Sequence, residues 1–141
     1  MPTTIAAITA IAIFAGLIFY SAASAFSPGS PSARPAAASS IRVIDGDTIE
    51  SPYGVKYRLL GFDTPEIFDA KTPQEYALGM KAKKRLEQLL SRGTVRIIES
   101  GKLDKYGRSL ATLAVNGRDV GEVLIAEGLA RAYHGGKRQP W

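Results

Sequence analysis

The chain has 141 residues, 18 Lys plus Arg against 13 Asp plus Glu, a formal charge of +5, one histidine and no cysteine. With no cysteine there is no disulfide framework, thiolate nucleophile or Cys-based zinc site; the single histidine, His134, rules out a multi-histidine metal site, and its place among glycines near the end of the chain almost excludes a Ser-His-Asp triad. Any metal must be held by oxygen, which points to calcium or magnesium, and the basic balance suits an anionic partner such as nucleic acid or a membrane surface.

Residues 2–26 carry no charge and include the apolar run 5–20. Ala23-Ser24-Ala25 is a small-x-small cleavage signal, so residues 1–25 read as a secretory signal peptide, cut near Ala25 to release a secreted or periplasmic domain. No Lys or Arg precedes the apolar run, and the uncharged stretch is long enough to span a bilayer. The alternative is therefore an N-terminal membrane anchor, with residues 2–26 in contact with lipid and the domain outside. Residues 26–40, rich in Ser, Pro and Ala, read as a flexible linker. The folded domain is expected over residues 41–134, with 135–141 as a tail.

Residues 41–50 form a first strand interrupted by Asp45-Gly46-Asp47, where a bulge would aim Asp47 outward. Ser51-Pro52-Tyr53-Gly54 has turn chemistry. Residues 55–60 return as the antiparallel partner, which puts Asp47 beside the strand carrying Arg58. Tyr57 and Leu59 fall on one face of that strand, Arg58 and Leu60 on the other. Gly61 loosens it, and the loop that follows carries Asp63, Thr64, Pro65 and Glu66. Loops held on rigid strands are common places for binding and catalysis.

Pro73 suits a helix start, and Leu78, Ala82, Leu86, Leu89 and Leu90 recur at helical spacing, so residues 74–91 form a long amphipathic helix. Residues 94–99 are a strand, 100–108 a polar loop and 110–115 a further strand. Asn116-Gly117 marks a tight hairpin. Residues 120–127 form a short helix stopped by Gly128, and 129–133 a last strand. Few short strands, a long helix and a short closing one predict a mainly β, α+β domain: a five-stranded OB-type β-barrel with helices packed on it.

Val43-Ile-Asp-Gly-Asp-Thr-Ile49, Tyr57-Arg-Leu-Leu-Gly-Phe-Asp-Thr-Pro-Glu66 and Asp104-Lys-Tyr-Gly-Arg108, in that order, resemble the three signature blocks of the staphylococcal-nuclease-like (thermonuclease) family. The resemblance covers residues 41–133. It implies a calcium-dependent phosphodiesterase that hydrolyses DNA, RNA or both with little sequence specificity. Matched residue by residue, Asp47 and Asp63 would supply carboxylates to Ca²⁺, and Thr64 its backbone carbonyl. Glu66 would be the general base or hold the attacking water. Arg58 and Arg108 would grip the scissile phosphate, Lys105 and Tyr106 would touch the neighbouring 5′-phosphate, Tyr133 would stack near the nucleotide, and Asp45 would support Asp47.

The chemistry agrees with that set. A phosphodiester transition state gathers negative charge, which planar guanidiniums and a hard cation stabilise. Asp47, Asp63 and Glu66 with Arg58 and Arg108 leave a charge of −1, which a divalent cation makes positive before the phosphate arrives. Two other readings fit parts of the sequence. A catalytically inactive OB module binding single-stranded nucleic acid explains the charge, and an anchored calcium-binding protein explains the leader and the acids. Since both arginines lie in or beside loops, Lys in place of either is expected to cost turnover and move the thermal midpoint little.

Overall fold

The computed structural model describes the backbone of residues 34–36 and the whole of residues 40–141. The leader expected over residues 1–25 lies outside the described residues. In chain order the elements are β1 (Arg34–Ala36), β2 (Arg42–Asp45), β3 (Thr48–Glu50), β4 (Lys56–Leu59), β5 (Gly61–Asp63), α1 (Pro73–Leu90), β6 (Val95–Leu103), β7 (Ser109–Val115), β8 (Arg118–Asp119), α2 (Val120–Ala126) and β9 (Arg131–Tyr133).

The main sheet runs β1-β6-β7-β4-β3-β2, with β8 against β7, while β5 and β9 form a separate two-stranded ladder. Leaving β1 and β8 aside, strands β2, β3, β4, β6 and β7 make the five-stranded path of an OB-type fold. Its β4–β7 contact is parallel, from Tyr57 opposite Ser109 to Leu59 opposite Ala111. The domain is α+β, as the sequence predicts.

Two turns fix where the site lies. Asp45-Gly46-Asp47 is a tight turn between two strands, with Asp45 opposite Thr48, rather than a bulge inside one strand. The register does shift between Val43 and Asp45, so the sheet bends at this point. Asn116 and Gly117 both take positive φ, 51° and 78°, the mirror-image turn that matches strand twist in a two-residue hairpin.

The sequence expectation fails at two places in the sheet. β6 runs on to Leu103, through residues expected to be loop. Gly101, at φ 74°, absorbs the irregular register between Glu99 and Leu103, so the pairing with β7 resumes beyond it. β1 lies within the stretch expected to be linker, and pairs Arg34–Ala36 against β6. An edge strand is joined by backbone groups, so it does not require the apolar alternation by which strands are found in a sequence.

α1 begins at Pro73 behind the N-cap Thr72, whose hydroxyl accepts from the Glu75 amide at 3.0 Å. The Glu75 carboxylate in turn accepts from the Lys71 amide at 2.7 Å, which ties the preceding loop to the helix. The buried face of α1 carries Glu75, Gly79, Ala82, Leu86 and Leu90. Leu86 and Leu90 enter a core built with Ile49, Leu59, Phe62, Val95, Leu113, Val120 and Leu124. α2 is capped by Asp119 and packs so closely that a Cβ on Gly121 would lie 2.3 Å from the Phe62 ring. Phe62 is thereby clamped between core and helix, and with it the start of the Asp63–Glu66 loop.

Candidate active site

Asp47 sits at the tip of the β2–β3 turn and is buried. Its Oδ1 accepts from the Thr48 hydroxyl at 3.2 Å, its Oδ2 from the Thr64 amide at 3.1 Å, and its own amide donates to Asp45 Oδ1 at 3.0 Å. Gly46 allows this closeness: a Cβ there would lie 2.7 Å from the Thr64 side chain and 2.8 Å from Ala82 on α1. Burial, reinforced by the charge on Asp47, pushes the Asp45 carboxyl up to about 6. Asp45 thus holds the Asp47 backbone through that amide. Thr64 is buried and meets Asp47 through its amide.

Arg58 lies on β4 with 6% of its surface exposed. Its guanidinium donates to the Leu59 carbonyl and twice to the Phe62 carbonyl at 3.2 Å, and it pairs with Asp47 Oδ2 and Asp63 Oδ1 at 3.2 Å each. Arg58 is therefore a buried strut that binds the acids to the backbone of β5. This burial argues against the expectation that Lys in place of Arg58 would move the thermal midpoint little.

Asp63 ends β5 and is also buried; that burial pushes its carboxyl above the usual range, Arg138 and Arg58 oppose the shift, and Asp47 adds to it. Glu66 follows the fully buried Pro65. The backbone here rests on α1, because a Cβ on Gly79 would lie 2.7 Å from the Pro65 carbonyl and 2.9 Å from that of Glu66.

The remaining candidates come from the β6–β7 turn and from β9. Asp104 Oδ1 accepts from the amides of Tyr106 and Arg108 at 2.9 Å, and its Oδ2 takes Nε of Arg108 at 2.7 Å. Burial works against the charge on Asp104, but the Arg108 and Tyr106 amides and the Arg108 guanidinium hold its carboxyl below the usual range. Arg108 reaches across to donate from Nη1 to the Thr48 hydroxyl at 3.1 Å. The chain Asp104–Arg108–Thr48–Asp47 thus joins the two halves of the site. Lys105 and Tyr106 project at the rim, Tyr106 71% exposed with the Lys105 ammonium 4.9 Å from its ring centre. Tyr133 lines the same cleft as Glu66, Arg108 and Tyr106, and its hydroxyl donates to the Gly136 carbonyl at 2.7 Å.

Sequence reasoning missed Arg138. Its guanidinium lies 2.7 Å from Asp63 Oδ1 and 3.8 Å from Asp47 Oδ2, and pairs directly with Glu66. Asp47, Asp63 and Glu66 thus face one positive centre, and it is a guanidinium of the protein itself. Nothing in the tail's composition signals this. The cluster's charge is still −1, but Arg138 rather than Arg108 completes it, since Arg108 pairs with Asp104. Among the described residues no three His, Cys, Asp or Glu side chains form a ready metal cage. The donor set nonetheless fits a hard cation, being all oxygen and already facing one positive centre.

Residues 56–140 match the family model described as staphylococcal nuclease homologue. The chain belongs to this family. The match runs from β4 through the tail and takes in Arg58, Asp63, Glu66, Arg108 and Arg138, while Asp45 and Asp47 precede it. Among curated relatives, the chain is 42% identical over 97 residues to endonuclease YncB of Bacillus subtilis, covering 64% of the chain and 44% of that protein. It is 40% identical over 97 residues to thermonuclease of Staphylococcus hyicus, covering 65% and 56%. An uncharacterized endonuclease of Haemophilus influenzae is 31% identical over 97 residues, covering 66% and 50%. The chain thus spans about half the length of the curated relatives it matches.

Proposed function

We propose that the chain is a calcium-dependent nuclease that hydrolyses phosphodiester bonds in DNA, and in RNA, with little sequence preference. The observation that carries this reading is the meeting of Asp47, Asp63 and Glu66 around one positive centre, at a cleft that also holds Arg108, Lys105 and Tyr106. Names of the relatives, endonuclease and thermonuclease, support it.

In this reading Asp47 and Asp63, with the Thr64 carbonyl, hold the cation. Calcium fits better than magnesium because loop carboxylates and a carbonyl suit its loose coordination. The bound cation supplies positive charge to the phosphate oxygens. Arg108, oriented by Asp104, presents its guanidinium to the scissile phosphate, and Arg58 fixes the acids from behind while adding positive potential. Glu66 would accept the proton of the attacking water as that water bonds to phosphorus and the bond from phosphorus to the leaving oxygen breaks, the released alkoxide taking a proton from solvent. Lys105 and Tyr106 hold the adjoining 5′-phosphate, and Tyr133 offers a ring face to the nucleotide. Export after cleavage near Ala25 belongs to the same proposal and rests on the uncharged residues 2–26 and the Ala23-Ser24-Ala25 signal; membrane anchoring is its alternative.

Glu66→Gln tests the assignment. The amide keeps the size and the hydrogen bond to Arg138 but takes up no proton, so turnover on single-stranded DNA should fall about 10²- to 10⁴-fold with binding retained. Parental turnover in this variant would remove Glu66 from the chemistry.

A further inference from the structure

The tail after β9 is pinned at both ends of Arg138. Gly135 and Gly136, at φ 105° and 92°, turn the chain in a way only glycine accepts readily, and Tyr133 fastens the Gly136 carbonyl. Beyond Arg138, the Arg131 guanidinium donates to the carbonyls of Gln139 and Pro140 at 2.8 and 2.9 Å and lies 3.7 Å from the Trp141 ring centre. The result is a short strap anchored on β9, with Arg138 at its middle and pointing into the acids.

We propose that Arg138 is a tethered internal cation of the carboxylate site, held there by the strap and displaced when a divalent ion binds. This rests on the reading of Asp47 and Asp63 as metal ligands. Three features carry it. The guanidinium pairs with Asp47, Asp63 and Glu66 at once, so it stands where an ion shared by these acids would stand. Arginine keeps its charge at every accessible pH, so it cannot yield by losing a proton and must move. Both flanks of the strap are tied to the domain, so its effective concentration at the site is high even though each surface contact is weak.

Two consequences follow. Without an ion, Arg138 relieves the repulsion between the three carboxylates and keeps the site folded. With one, the displaced guanidinium remains at the cleft that takes the polyanion, where its charge serves the phosphate backbone. Ion binding and the position of the strap are thereby coupled.

The test is calcium binding by titration calorimetry on the purified chain without nucleic acid, at low ionic strength, for the parent, Arg138→Gln, Arg131→Gln and Asp63→Asn. Removing the cation that competes with the ion for the same carboxylates should tighten binding on the order of tenfold or more in Arg138→Gln. Arg131→Gln touches none of the acids and loosens the strap from outside, so it should tighten binding by a smaller factor. Thermal unfolding gives a second readout: without calcium Arg138→Gln should melt below the parent, and saturating calcium should raise its midpoint by more than it raises the parent's. Asp63→Asn should lose calcium. If Asp63→Asn binds calcium as the parent does, the ligand reading itself fails. If Asp63→Asn loses calcium while Arg138→Gln and Arg131→Gln bind no more tightly than the parent, the ligands stand and the role given to Arg138 is overturned.

Discussion

Lysine in place of Arg58 would keep a charge but leave the carbonyls of Leu59 and Phe62 competing for one ammonium, with Asp47 and Asp63 still to be neutralised. In a site this buried, Arg58→Lys should lower stability by about 2–4 kcal/mol, read from the urea midpoint. An unmoved midpoint would show that the inward bonds are not made in solution. Arg108 differs because its guanidinium lies at the cleft, and a quarter of the side chain is exposed. Arg108→Lys should leave the midpoint nearly where it was and lower turnover by about 3 kcal/mol of transition-state stabilisation, roughly a hundredfold or more. Affinity for single-stranded DNA should change far less, since the charge survives.

Asp104 adds a dependence on pH. Its carboxyl is held below the ordinary 3.8, so its ionised form stabilises the fold above that value, and the contribution is lost as pH falls through the lowered folded value. Asp104→Asn should therefore cost about 1 kcal/mol near neutral pH and nothing in strong acid, where parent and variant converge. Unfolding curves that stay equally far apart from neutral pH into strong acid would mean that size or shape, rather than charge, is at stake.

Among the elements, the turn and the helix are bound through two glycines whose neighbours leave no space. Alanine at position 79 would ordinarily strengthen a helix by about 1 kcal/mol. Here its Cβ would press on the carbonyls of Pro65 and Glu66, backbone atoms that move only with the whole loop. Gly79→Ala should thus destabilise by about 1–2 kcal/mol and lower turnover by shifting Glu66. A more stable protein with parental activity would mean that the loop does not rest on α1.

The strands and helices were largely legible because period-two and helical patterns, Asn116-Gly117 and Pro73 are local signals. The acids and Arg58 were legible too, since they lie in contiguous motifs at the ends of strands. What escaped were contacts made across the chain. Arg138 meets Glu66 from 72 residues away, and Arg108 meets Thr48 from 60. A tail rich in glycine gives no periodicity, and nothing local says which acids a distant arginine will find. The burial of Arg58 was missed for a similar reason, because its guanidinium turns inward onto the Phe62 carbonyl and onto Asp47 of another strand turn.

Taken as a whole, the molecule is a basic OB-type domain in which Asp47 and Glu66 line a cleft together with Lys105, Tyr106 and Arg108. Contacts to phosphate rather than to base edges should make DNA affinity fall steeply with salt while sequence preference stays slight. The most direct measurement is the rate of single-stranded DNA hydrolysis by the purified chain as calcium is titrated in and then removed with chelator. The rate should rise to saturation with calcium, stay low with magnesium alone, and fall to background in chelator. Full hydrolysis in excess chelator, or none at any calcium concentration, would contradict the account.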